Sequence, residues 1–92
     1  MKYKVYHAIK PNFGMGDPVE FNEDNFELVA EVEVPDDHYG EVFRLTNHID
    51  EAWWENSEVT CIKQSRSTSV GDVIVREDGL RRRCEGTGWT TF

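Results

Sequence analysis

Residues 26–34 alternate without a break. Phe26, Leu28, Ala30, Val32 and Val34 are interleaved with Glu27, Val29, Glu31 and Glu33. A period of two excludes a helix, whose faces recur every 3.6 residues. It predicts an extended strand with one face in a core and one acidic face in water.

The rest of the chain supplies partners for that strand. Residues 2–9 alternate as well, with Tyr3, Val5, His7 and Ile9 on one side and Lys2, Lys4, Tyr6 and Ala8 on the other. Residues 10–25 hold two prolines, two glycines and several Asx residues. They read as a long loop, tied down by Phe13, Met15, Val19 and Phe21. Pro35 ends the acidic strand, and Asp36 or Asp37 is suited to cap a helix. In that helix Tyr39, Val42, Phe43, Thr46, Ile49 and Trp53 share one face. A break near Asn47 would leave residues 50–56 as a separate short turn.

Three further strands follow, at 59–64, 72–77 and 80–85. Asp78-Gly79 is a two-residue hairpin signal. In that register Val75 faces Arg82 and Val73 faces Cys84, with Arg76, Arg81 and Arg83 together on the opposite face. The tail 86–92 is a turn and a short aromatic closing segment. Together these make one α+β domain spanning residues 1–92. Its sheet is small and mainly antiparallel, in the order β-β-α-β-β-β, with one helix packed across it.

Charge narrows the function. The net is −8. Residues 1–58 carry 14 acids against 4 bases, a balance of −10, and residues 59–92 carry 4 acids against 6 bases, a balance of +2. Such a chain repels nucleic-acid phosphate unless it presents a local basic face. No apolar run approaches membrane-spanning length, and residues 1–9 lack the apolar stretch of a signal peptide, so a soluble cytoplasmic protein is expected. Cys61 and Cys84 then read as buried free thiols. With His38 and His48 they match no metal-ligand spacing, and no metal or cofactor is expected.

Residues 64–75, QSRSTSVGDVIV, form the most patterned stretch. Gly71-Asp72 before Val-Ile-Val is what a tight turn into a strand looks like. Asp72 would accept N–H bonds from the 67–69 turn, while Arg66 would lie nearer solvent without a structural partner. The competing reading is an anion loop built from Arg66, Ser67, Thr68 and Ser69, extended by Arg76, Arg81 and Arg83 on the hairpin. Those hairpin arginines are equally suited to match Glu27, Glu31 and Glu33 across the sheet. No lysine follows the glycine as a phosphate loop requires.

The segment RLTNHIDEAWWENSEV, then SRSTSVGDVIV, a glycine turn, a cysteine strand and Gly-Trp resembles a group of short uncharacterised proteins of phages, plasmids and integrative elements. The Ser-x-Ser-Val-Gly-Asp core is similar to the YodL-like domain of mobile elements. This resemblance covers about residues 39–92. It implies a mobile-element accessory protein and no particular activity.

Trp53 continues the helical stripe. Trp54, about 100° away on a helix, must either pack under the 10–25 loop or face a partner. His7, His38 and His48 are scattered and no nucleophile–base spacing recurs, so an enzyme is not expected. The leading expectation is a non-enzymatic interaction protein. Asp17, Glu20, Glu23, Asp24, Asp36, Asp37 and Trp54 would bind a basic host protein, their carboxylates mimicking nucleic-acid phosphate. The alternative is a small nucleic-acid- or anion-binding module using the serine loop and the arginines.

Overall fold

The computed structural model describes residues 1–12, 15–47, 52–86 and 88–92. Six strands form one wholly antiparallel sheet: β1 (Lys2–Ala8), β2 (Phe26–Glu33), β3 (Val59–Cys61), β4 (Val73–Arg76), β5 (Arg81–Glu85) and β6 (Gly88–Thr91). Their order across the sheet is β3-β2-β1-β4-β5-β6. One helix, α1 (Tyr39–Thr46), and a 3-10 turn (Trp53–Glu55) lie between β2 and β3. Among the described residues the α+β architecture with a single helix is as expected, but there are six strands rather than five. The tail pairs with β5 through Cys84↔Trp89 and Arg82↔Thr91 instead of only closing the chain.

The alternation of residues 26–34 is interrupted once. Val5 pairs with Ala30 while Tyr6 pairs with Leu28, which leaves Val29 as an extra residue in a bulge. The bulge flips the strand's facing. Ala30, Val32 and Val34 join the core beneath the helix, with Val29 buried beside them, whereas Phe26 joins a second core on the other face. Five apolar residues expected on one face are therefore divided between two.

The first core packs Tyr3, Val5, Ala30, Val32 and Ile74 of the sheet against Val42, Leu45 and Trp53. The second packs Ala8, Phe26 and Val73 against Val19, Phe21 and Phe92. Val19 and Phe21 thus hold the long loop against the sheet, as expected, but Met15 and Ile9 are exposed. Phe13 lies outside the described residues, as do His48 and Ile49.

The helix starts later than expected. Asp36 adopts a positive φ of 46°, and His38 occupies the N-cap without a side-chain bond. Neither aspartate caps α1. Asp37 is engaged by arginines from the sheet. The helix ends at Thr46, and Trp53 reaches the core from the 3-10 turn, so the anticipated break near Asn47 is present.

The β4–β5 hairpin has a three-residue connection, not two. Gly79 N–H donates to Arg76 O and Arg76 N–H donates to Leu80 O, each at 2.8 Å. Gly79 takes φ 95° as the left-handed residue of a bulged turn. One residue of slip exchanges faces. Val75 now faces Arg81, Ile74 faces Arg82 and Val73 faces Arg83. Arg76 and Arg82 belong to the helix side, while Arg81 and Arg83 share the outer face with Val73 and Val75.

Candidate functional site

The serine loop closes one end of the helix-side core, and Asp72 is its centre. Asp72 is fully buried. Its Oδ2 accepts the Ser69 N–H at 2.7 Å and its Oδ1 accepts the Ala8 N–H at 2.9 Å. The turn therefore fixes both its own shape and its attachment to β1. The expected bond from the 67–69 segment to Asp72 is present.

The expectation for Arg66 is overturned. Its guanidinium donates to both Asp72 oxygens, at 2.6 and 2.8 Å, and also to Ala8 O and Ser67 O. A buried carboxylate requires a counter-charge, and Arg66 is the residue within reach. Sequence spacing could not reveal this, because the turn folds residue 66 back over residue 72.

Beside this pair lies a network that the sequence did not advertise. His7 Nε2 is 2.9 Å from Thr68 Oγ1, Thr68 Oγ1 donates to Thr46 Oγ1 at 2.8 Å, and Thr46 Oγ1 donates to Val42 O at 2.8 Å. Each hydroxyl has one hydrogen. Thr46 gives its own to Val42 and Thr68 gives its own to Thr46, so Thr68 accepts from His7 Nε2–H. The ring is thereby a neutral Nε2–H tautomer, with Nδ1 left to accept from Ser65 Oγ at 3.3 Å. Burial pushes the His7 pKa down to about 4. The apolar stripe of Tyr3, Val5 and His7 signalled a buried imidazole, but not its partners.

Ser65, His7 and Asp72 superficially suggest a nucleophile triad. Asp72 Oδ2 is 3.9 Å from His7 Nε2, whose hydrogen goes to Thr68, and both carboxylate oxygens are already occupied. A ring with a pKa near 4 is a weak base at neutral pH. This arrangement stabilises a loop and does not activate Ser65.

The arginines do not form one basic face. On the helix side Asp37 receives Arg76 at 3.0 Å and Arg82 at 3.0 Å, and Arg76 also holds Asp78 at 2.6 Å. Tyr3 donates its hydroxyl to Asp37. Hydrogen bonds from Arg82 and Tyr3 hold the Asp37 pKa down at about 2. On the outer face Arg81 and Arg83 stack on the Phe92 ring, at 4.4 and 4.2 Å from its centroid. The anticipated match with Glu27, Glu31 and Glu33 is absent among the described residues, because β1 and β4 separate β2 from β5. Glu27 instead pairs with Lys63, and Glu33 with the N-terminal ammonium.

The anticipated acidic surface divides as well. Asp17, Glu20, Glu23 and Asp24 are exposed on the long loop at the Ala8 end of the sheet. Asp36 and Asp37 lie beyond the far end of β2, roughly 26 Å along an eight-residue strand. Trp54 joins neither group. It meets Trp53 edge to face at 5.5 Å and packs partly buried on the helix-side core, away from the 10–25 loop.

No helix among the described residues is long and apolar enough to cross a membrane. Among the described residues no three His, Cys, Asp or Glu side chains gather as metal ligands. No family model, curated protein or solved structure matches this chain.

Proposed function

We propose that the chain is a non-enzymatic interaction protein, an accessory of a phage or mobile element, whose long loop binds a basic host nucleic-acid-binding protein. One contrast carries the reading. Asp37, Asp72 and Asp78 each hold an arginine, but Asp17, Glu20, Glu23 and Asp24 pair with no base among the described residues. Their side chains face solvent without a partner base, where they can steer a cationic partner.

The described residues of the loop are tied by side-chain hydrogen bonds. Asn12 Nδ2 donates to Asp17 O, Asn25 Nδ2 donates to Glu20 O, and Asn22 Oδ1 accepts the N–H groups of Asp24 and Asn25. Val19 and Phe21 anchor it beneath. Carboxylates carried on a backbone tied in this way can stand in for backbone phosphates. The anion-binding alternative is less well supported, since Arg66 and Arg76 are held by buried or neighbouring aspartates.

Salt-graded capture of a basic nucleic-acid-binding host protein tests the proposal. The parent should retain a stoichiometric partner at low salt and release it as salt rises. The combined variant Asp17→Asn, Glu20→Gln, Glu23→Gln, Asp24→Asn should not retain it. Equal retention by that variant refutes the proposal. A salt-sensitive shift of DNA or RNA by the parent would favour the alternative.

A further inference from the structure

The outer face of the sheet is covered only in part. Phe21 and Phe92 lie over the Ala8–Phe26 end. Two hollows open on this face, and Tyr6 lines both. One, of about 360 Å³, is formed by Tyr6, Phe21, Phe26 and Leu28, with Asn22 and the exposed Glu23. The other, of about 300 Å³, lies over β1 and β4 and includes Lys2, Lys4 and Val75. The face therefore has an aromatic hollow with an acid beside it, a Tyr6 ridge, and a hollow with two lysines.

Lys2 and Lys4 are exposed and join no ion pair among the described residues. Their cross-strand neighbours are Glu33 and Glu31. Glu33 holds the N-terminal ammonium at 3.0 Å. Glu31 does not come within ion-pair distance of Lys4. Glu77 and Arg76 also line the lysine hollow, but Arg76 is held by Asp37 and Asp78, so Lys2 and Lys4 are the cations placed to meet an anionic group there. Beneath the hollows β1 is bonded on both sides, to β2 and to β4. An occupant cannot add a strand there and must bind through side chains.

We infer that this face docks an extended segment of a partner protein, with an apolar side chain in the aromatic hollow and a carboxylate on Lys2 and Lys4. Spacing and charge define the segment. From Tyr6 to Lys4 and on to Lys2 is roughly 7 to 13 Å at about 3.3 Å per residue. An extended peptide covers that distance in two to four residues. Glu23, at the opposite end, favours a cation on the other side of the anchor. The segment thus runs basic, apolar, acidic. This rests on the interaction-protein reading and adds the apolar hollow and the Lys2–Lys4 end to the acidic loop, with which it shares Glu23.

The test is an amide-resolved NMR titration of the intact protein with acetyl-Arg-Ser-Ser-Phe-Ser-Glu-Ser-Glu-amide. Saturable shifts should be confined to residues 2–6, 21–28 and 75. The same peptide with Ser for Phe should give none. Replacing both Glu by Lys should weaken binding by about tenfold or more, and the Lys2→Glu/Lys4→Glu protein should recover it. Shifts elsewhere, no saturable shifts, equal affinity for the lysine peptide, or equally tight binding of 3-phenylpropionate would each overturn the inference. The last of these would identify a small aromatic acid as the occupant. A failed titration alongside intact, salt-sensitive capture through the acidic loop would remove this inference and leave the proposed function standing.

Discussion

Arg66 grips Asp72 with two nitrogens, Nη1 at 2.6 Å from Oδ2 and Nη2 at 2.8 Å from Oδ1, and only the arginine reaches solvent. Removing either partner therefore has a different meaning. Asp72→Ala leaves the Ala8 and Ser69 N–H groups without their acceptor. Arg66→Ala leaves a carboxylate buried without its counter-charge. Loss of one partner from a buried pair costs about 3–5 kcal/mol. We expect that range for Asp72→Ala. For Arg66→Ala we expect about 2–4 kcal/mol, because the turn can admit water where the guanidinium was partly exposed. Equilibrium urea unfolding should show both midpoints falling, with a coupling above about 1 kcal/mol in the double-mutant cycle. An Arg66→Ala midpoint matching the parent would mean that the guanidinium is free for a ligand, and would revive the anion-loop reading.

Two glycines predict effects of opposite sign. Gly79 sits at φ 95° in the hairpin, and an added Cβ there meets no atom within 4 Å. Any penalty for Gly79→Ala is then backbone strain alone, roughly 1–2 kcal/mol. Gly40 lies in the first turn of α1, and its Cβ also meets nothing. Gly40→Ala should stabilise by up to about 1 kcal/mol through helix propensity. Thermal midpoints of the two variants should move in opposite directions. A shared direction would contradict the turn geometry or the helix start.

How much of this was legible in the sequence depended on the range of the signal. Periodicity placed β1, β2 and the helix, since burial of one face writes itself into neighbouring residues. It misplaced Phe26, because a single bulged residue, Val29, reverses every facing before it. Asp78-Gly79 marked the hairpin, but the same dipeptide suits loops of two or three residues, and that difference sent Arg82, rather than Arg81 or Arg83, to the face of Arg76, toward Tyr3 and Asp37. The sixth strand was hidden because Thr90 and Thr91 carry no apolar alternation. In the candidate site, Asp72 was legible from its place after Gly71. Its link to Arg66 and the bond from His7 to Thr68 depend on chain reversal, which no local pattern encodes.

The two thiols should differ, where composition alone suggested that both are buried. Cys84 is buried, and desolvation, reinforced by Asp72 and Glu85, pushes its pKa up to about 11. Cys61, on the edge strand β3, is half-buried. A disulfide reagent at pH 8 should titrate one thiol in the native protein and the second only on unfolding. Cys61→Ser should abolish the early phase. Prompt reaction of two equivalents would mean that Cys84 is not buried as described.

The last prediction concerns acid. His7 is neutral in the folded protein, with its pKa near 4 against an ordinary value of 6.5, and the cause is burial. The unfolded chain binds a proton at pH values where the folded chain does not. Stability is then fully present above about pH 6.5 and is lost as pH falls toward 4, because protonation favours the unfolded state. The distance between about 4 and 6.5 sets a ceiling of about 3 kcal/mol for this loss. Asp37 acts in a separate window. Its carboxyl is held at about 2 by Arg82 and Tyr3, so its contribution weakens only below about pH 4. Urea midpoints measured from pH 7.5 to 4.5 should therefore decline in the parent, before the carboxylates titrate. His7→Gln keeps an amide donor near Thr68 and removes the titrating ring. It should lower the midpoint at pH 7.5, yet flatten the slope from pH 6.5 to 4.5. A variant with the parent's full slope would show that the acid sensitivity arises elsewhere, and that the His7–Thr68–Thr46 chain does not hold a neutral ring.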